Sequence, residues 1–354
     1  MSEAGAVRIA IYGAGSIGCY LGGRLDGQTW SVRGRSPRTA RVRFLVRPAM
    51  SRALRERGLV LSDWRGYRRT LAADALDLAA TPAEALAGAD LVLVTVKSPA
   101  TPQVAAELAA HLPPQAWVIS FQNGLHNAGR LRATLPGRRV LAGMVPFNVV
   151  QREPGAFHQG SSGTLVIDAH ADQAKDDWPA LFAAAGLPLR CSADMPAVQQ
   201  AKLLLNLNNA LNALSDLPLR EELAQRAWRR CLALAQREAL RVYAAAGMRP
   251  ARLTPVPAVW LPRLLELPDA LFRRLAARML AIDPLARSST WEDLRAGRPT
   301  EVGELQGEVV ALGRAHGVAT PVNARLLELV REAERAPRAW RGETLLAALR
   351  ETVR

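Results

Sequence analysis

The sequence predicts an α/β domain built on a doubly wound sheet, followed by an all-α domain. Three observations carry this expectation. Short apolar runs alternate with helical stretches through the first half, as strands joined by crossover helices do. A glycine-rich turn stands between the first strand and the first helix. After residue 192 the period of the apolar residues becomes helical throughout, so the domains are placed at 1–192 and 193–354.

Composition narrows the class. The chain has 354 residues, 49% hydrophobic and 22% charged, which is ordinary globular usage and excludes a disordered chain, a fibre or a disulfide scaffold. Its three cysteines, Cys19, Cys191 and Cys231, are widely spaced with no CxxC, so no disulfide framework and no metal site are expected. No apolar run reaches the roughly 18 residues that a membrane helix needs. The start, Met1-Ser2-Glu3, carries an acid where a signal peptide has basic charge. The expectation is a soluble protein of a reducing compartment, the cytoplasm, with no membrane partner.

The net charge is +14, from 46 basic and 32 acidic residues. Only Lys97, Lys175 and Lys202 are lysines, so arginine has been used wherever either cation serves. A lysine retained against this background marks a place where a compact, proton-donating ammonium matters. No zinc-finger, RNP or helix-turn-helix signature accompanies the charge, so no nucleic-acid partner is expected. Between Arg24 and Arg69 there are 13 arginines against Asp26, Glu56 and Asp63. This excess reads either as a solvated surface or as an attractor of a polyanionic ligand.

Taken in order, residues 7–12 form a strand running into Gly13-Ala14-Gly15-Ser16-Ile17-Gly18, and Cys19–Leu25 continues as a helix. In this setting Gly13 permits the tight turn, Gly15 the approach of backbone amides to a pyrophosphate, and Gly18 close helix–strand packing. The arrangement is that of a Rossmann-type nucleotide-binding domain. A second strand, Val42–Val46, ends in Arg47-Pro48 without an acid, which suits the 2′-phosphate of NADP. Residues 27–41 read as a long loop. Further strands are predicted at Leu91–Val96, Trp117–Ser120 and Val140–Val145, with helices at Ala83–Ala87 and Pro102–His111. Lys97 and Asn123 stand at two strand ends, where such sheets bind ligands.

A smaller strand-rich stretch covers Gly155–Asp168 and Leu187–Ser192, and helices follow. In the predicted helix Gln199–Leu214, Lys202 and Asn206 are four apart and Asn209 three further on, a polar stripe on a leucine-rich helix. Its alternatives are a solvated surface stripe and a site where a bound 2-oxo acid satisfies the polar groups. Helices are predicted at Glu221–Ala246 and Leu261–Leu280. A last helical start lies at Arg298–Glu301, with Thr300 as cap, and Glu301 can be read simply as a first-turn acid. Residues 331–354 read as peripheral.

In this order, GAGSIG, TVK, QNG, AKLLLN, SSTWEDLRAGRPTE and AHGVATPVN resemble the ketopantoate reductases (2-dehydropantoate 2-reductases) from about Val7 to Val330. The resemblance implies an NADP-binding Rossmann-type domain followed by a helical substrate domain, with NADPH as cofactor and a small 2-oxo acid as substrate. It implies reduction of ketopantoate to (R)-pantoate in pantothenate and coenzyme A biosynthesis, with Lys202 as general acid. It places Asn206 and Ser289 on the substrate, and helical spacing, not the resemblance, sets Asn209 on the face of Asn206. Glu301 falls at the cofactor ribose or substrate hydroxyl, and Lys97 and Asn123 at the nucleotide–substrate junction. Helical domains of such reductases often pair, which implies a homodimer.

The chain departs from the family pattern at Ala210 and Ala286, where asparagine is usual, and in the stretch Met144-Val145-Pro146-Phe147-Asn148-Val149-Val150. A paralogous reductase of another 2-oxo acid is therefore the alternative. A non-catalytic NADP-binding sensor would have lost Lys202 or Glu301, and both are present.

Overall fold

A computed structural model describes residues 5–31, 36–170, 177–275 and 283–353. The chain forms two compact units, Met1–Met195 and Pro196–Arg354. Lys175 lies outside the described residues.

The first unit contains strands β1 (Ala6–Tyr12), β2 (Thr29–Trp30), β3 (Arg38–Leu45), β4 (Leu59–Asp63), β5 (Arg68–Leu71), β6 (Asp77–Ala79) and β7 (Leu91–Val94). They continue with β8 (Trp117–Ser120), β9 (Arg139–Met144), β10 (Val149–Glu153), β11 (Ala156–Gln159), β12 (Leu165–Asp168) and β13 (Leu189–Ser192). The main sheet runs β13-β12-β9-β8-β7-β1-β3-β2, with β6 also paired to β3. Its centre, β1, β3, β7, β8 and β9, is parallel. All four residues of β7 are fully buried, as expected of a central strand covered on both faces. The chain order reverses at β1, which has β3 on one side and β7 on the other, so a ligand crevice opens at their carboxyl ends.

The structure corrects several details of the sequence reading. β3 starts at Arg38, so residues 38–41 are strand rather than loop, and β2 pairs antiparallel with it. Residues 32–35 lie outside the described part. β12 joins β9 antiparallel, so the sheet is mixed. A second sheet, β10-β11-β4-β5, takes β11 from the predicted strand-rich stretch 155–168 and adds β4 and β5, which the sequence reading leaves out; β5, Arg68-Arg69-Thr70-Leu71, has no apolar signature. Pairing with β4 makes it a strand, through a turn in which Asp63 Oδ1 accepts the backbone N–H groups of Arg65 and Tyr67.

Part of the arginine excess is scaffold. Arg24 is buried, donates to the carbonyls of Ala185 and Gly186, and lies 3.7 Å over the Tyr67 ring. Arg69 donates to the carbonyls of Gly23, Arg24 and Asp26, and Arg43 pairs with Asp77. A guanidinium reaches several carbonyls at once, which an ammonium on a flexible stem does less well.

The second unit is helical. Its central helix, Arg226–Ala245, buries Trp228, Cys231, Leu232, Ala235, Ala239 and Val242 at helical spacing. The predicted Glu221–Ala246 helix is interrupted at Gln225, which is extended, and Leu261–Leu280 is divided into Leu261–Leu265 and Asp269–Leu275. Arg229, fully buried, stabilises both breaks by donating to the carbonyls of Leu223, Ala224, Leu265 and Leu267. Residues 276–280 lie outside the described part.

The C-terminal segment is not peripheral. Helix Gly342–Glu351 buries Leu345, Leu346 and Leu349, and a Cβ at Gly342 would stand 3.0 Å from both Ala227 Cβ and Trp228 Nε1. Trp340 N–H also donates to the Leu214 carbonyl. Apolar residues at spacing 345, 346 and 349 are the stripe that a packed helix needs. Among the described residues no helix is long and apolar enough to cross a membrane.

Candidate active site

In the first unit the Gly13–Gly18 turn joins β1 to helix Ser16–Leu25. Gly13 has φ +110°, and a Cβ there would come within 2.8 Å of the Val96 backbone nitrogen. A Cβ on Gly18 would lie 2.2 Å from the Gly13 carbonyl oxygen, whereas one on Gly15 meets nothing within 4 Å. Gly13 thus stands in a tight turn and Gly18 in close packing, while Gly15 borders open space. The helix begins at Gly15 with no side-chain cap and no acid in its first turn, which suits an anion at its N-terminus. This cradle fits the pyrophosphate of a dinucleotide. Ala14, Ser16 and Ile17 complete the turn, each partly buried.

Two strand ends flank it. On one side Ala14 N–H donates to the Leu45 carbonyl, and Arg47, exposed, is the N-cap of helix Pro48–Arg57, again without an acid in the first turn. On the other side Thr95 Oγ1 donates to the Gly13 carbonyl at 2.7 Å, two residues before Lys97. Lys97 and Asn123 are both half-buried, and their loops are bonded together. Ser98 Oγ donates to the Asn123 carbonyl, and Asn127 Nδ2 donates to both Ser98 Oγ and that carbonyl. Thr101 Oγ1 donates to Asn127 Oδ1, Gln122 Nε2 to Thr101 Oγ1, and Ser120 Oγ to Gln122 Oε1. These five side chains are buried, and each hydroxyl proton has one acceptor. Sequence reasoning missed Asn127; its only sign was an amide four residues after Asn123.

In the second unit the predicted Gln199–Leu214 helix is two helices, Met195–Asn206 and Asn208–Ser215, divided at Leu207. Lys202 and Asn206 lie on the first and Asn209 on the second. Two buried amides from other helices hold the junction: Gln236 donates to the Leu204 carbonyl and Gln306 to that of Leu207. Lys202 is half-buried, and burial lowers its ammonium pKa to about 8. Asn206 is buried and Asn209 half-buried, so the stripe is not a solvated surface.

Ser289, exposed, is the first residue of helix Ser289–Arg295, and Ser288 caps it by accepting Trp291 N–H. Ser288 also donates through Oγ to the Asn209 carbonyl and through its backbone to Asn212 Oδ1. Glu301, rather than Thr300, is the N-cap of helix Val302–Ala315. Thr300 Oγ1 nevertheless accepts the Val302 N–H, and Thr300 donates to Glu334 from both its amide and its hydroxyl. Gln306, five residues after Glu301, makes the bond to Leu207, which ties Glu301's helix to the Lys202 segment.

The alanines at the two departures are buried and offer no side-chain polar group: Ala210 is 1% exposed and Ala286 4%. No group of metal-ligating side chains occurs among the described residues.

Residues 9–172 match the family described as ketopantoate reductase PanE/ApbA, and residues 194–334 match that family's C-terminal part. A 2-dehydropantoate 2-reductase of Halobacterium salinarum is 30% identical over 336 residues, covering 93% of this chain and 99% of the relative. The crystal structure of a PanE/ApbA family ketopantoate reductase from Ralstonia eutropha JMP134 is similar at TM-score 0.73 and 30% identity, covering 94% of this chain and 99% of that one. A D-mandelate dehydrogenase solved with NADH and anilino(oxo)acetate shares the fold at TM-score 0.74 and 19% identity, covering 94% of this chain and 99% of that one.

Proposed function

Because the chain belongs to the ketopantoate reductase PanE/ApbA family of oxidoreductases, we propose that it reduces ketopantoate to (R)-pantoate with NADPH, in pantothenate and coenzyme A synthesis. Residues 1–192 hold the cofactor in this reading and 193–354 the substrate. The single observation that carries it is Lys202: one of only three lysines, set half-buried on one face with buried Asn206 and half-buried Asn209, its pKa lowered by burial to about 8.

NADPH, when bound, supplies the hydride that reaches the C2 carbonyl carbon. Lys202 gives its proton to the carbonyl oxygen as negative charge develops there. A pKa near the working pH suits that transfer, because the ammonium is populated yet releases its proton readily. Asn206 and Asn209 orient the oxo acid, with Ser289 beside its carboxylate. Glu301 contacts the ribose or the substrate hydroxyl. The Gly13–Gly18 turn takes the pyrophosphate and Arg47 the 2′-phosphate, while Lys97 and Asn123 meet the nicotinamide end.

A second reading, another 2-oxo acid as substrate, is favoured by Ala210 and Ala286, which cannot bond a substrate hydroxyl. Loss of NADPH absorbance with ketopantoate, measured beside a panel of 2-oxo acids and a Lys202→Ala variant, tests both. Turnover of ketopantoate that collapses in the variant supports the first reading. Preference for an acid without the terminal hydroxyl moves the assignment to the second, and failure to bind NADPH overturns both.

A further inference from the structure

We propose that Glu222 is a positioning residue that holds Ser288 and Ser289 against the Asn209 backbone through the side chain of Asn212. The proposal rests on the reading of Ser289 and Asn209 as substrate residues. Glu222 is fully buried, and its Oε2 accepts from Asn212 Nδ2 at 2.7 Å and Asn208 Nδ2 at 3.4 Å. Its Oε1 has no partner, and no cation pairs with it among the described residues. An acid in such a place stabilises the core less than a leucine of similar size would. Its use is geometric.

Asn212 is also fully buried, and its amide has one workable orientation. With Nδ2 towards Glu222 and the Leu217 carbonyl, Oδ1 is left to accept Ser288 N–H at 2.8 Å. Turned over, the amide would set oxygen against the Leu217 carbonyl and NH₂ against the Ser288 N–H. Of the two bonds that Nδ2 donates, the one to Glu222 is the shorter. Ser288, so held, bonds the Asn209 carbonyl and caps the helix that begins at Ser289. The line from Glu222 to the substrate residues thus passes through two side chains and reaches both sides of the proposed carboxylate site.

The test uses the full chain with Glu222→Leu, Glu222→Gln, Asn212→Ser and the Leu/Ser double variant. Glu222→Leu is expected to raise the 2-oxo acid KM about tenfold or more, with kcat changed far less and the Kd for NADPH unchanged. Glu222→Gln, which keeps an acceptor and the volume, is expected to restore wild-type KM. The double variant is expected to be no worse than the poorer single one, because both remove the same link. Hydrogen exchange at Ser288–Arg295 is expected to speed up in Glu222→Leu and not in Glu222→Gln. A folded Glu222→Leu protein with wild-type KM and exchange overturns the proposal. So do losses that multiply in the double variant, or equal losses in NADPH binding. If Glu222→Leu does not fold, Asn212→Ser must show the same KM rise and exchange, and its failure to do so overturns the proposal. If the wild type reduces no 2-oxo acid, the functional reading fails, and hydrogen exchange still decides the positioning.

Discussion

The glycine turn of the first unit and the Lys202 face of the second obtain their polar groups in opposite ways. In the turn the groups are backbone amides, aimed by a positive φ at Gly13 and by close packing at Gly18. On the Lys202 face they are side chains, held by buried amides and an acid from other helices, Gln236, Gln306 and Glu222. A backbone site is disturbed by adding a single carbon. A side-chain site is disturbed by removing one partner, which leaves another buried group unsatisfied.

That difference can be broken or sharpened by substitution. The largest effect is expected for Lys202→Ala, which removes the proposed proton donor: kcat should fall by roughly 10²–10⁴-fold with NADPH binding intact. Single-turnover kinetics with the preferred 2-oxo acid checks it, and unchanged kcat would remove Lys202 from the chemistry. Next, Gly18→Ala should abolish tight NADPH binding, because its Cβ would lie 2.2 Å from a backbone oxygen that cannot easily retreat. Gly15→Ala should fold normally, since the space is open, and lose affinity only for the cofactor; fluorescence titration and thermal melting separate the two. If both variants melt and bind alike, the distinct roles given to the two glycines are wrong.

Smaller effects are expected from pH. With Lys202 acting in its protonated form and titrating at about 8, kcat/KM should decline as pH rises through about 8. Stability should follow a different course. Burial raises the Glu222 carboxyl from 4.5 to about 8, so the folded chain keeps a proton that the unfolded chain has lost. The contribution is complete below 4.5 and is lost as pH climbs to about 8. Glu292, raised to about 8 chiefly by burial and also by neighbouring Asp293, adds to the same slope. Lys202, lowered from 10.5, works the other way between about 8 and 10.5. Denaturant titrations across pH should therefore show a shallower slope in Glu222→Gln than in wild type. The smallest effect is expected at Arg47, which is exposed. Arg47→Ser should weaken NADPH by about tenfold or less while leaving NADH unchanged; equal loss for both would move the 2′-phosphate elsewhere.

Local order in the sequence explains which parts were legible. Gly13, Gly15 and Gly18 could be assigned because their roles depend on backbone freedom between adjacent elements. The Lys202–Asn206–Asn209 spacing was legible for the same reason, although its division at Leu207 was not. β5 was hidden because Arg68-Arg69-Thr70-Leu71 becomes a strand only when β4 supplies its hydrogen bonds. Helix Gly342–Glu351 was hidden because its leucines acquire a role only against Trp228 and its neighbours. Asn127 carried only the sign of an amide four residues after Asn123, and Glu222 none.

By itself, then, the sequence determined the alternation of strands and helices in the first unit, the glycine turn after β1 and the spacing of Lys202, Asn206 and Asn209, since each rests on neighbours within a few turns of chain. Tertiary structure alone decided which buried amides and acids hold those residues in place. A hydrogen bond between Asn212 and Glu222, or between Gln306 and Leu207, has no trace in local periodicity. It exists only once packing brings together groups 10 and 99 residues apart and leaves each without water.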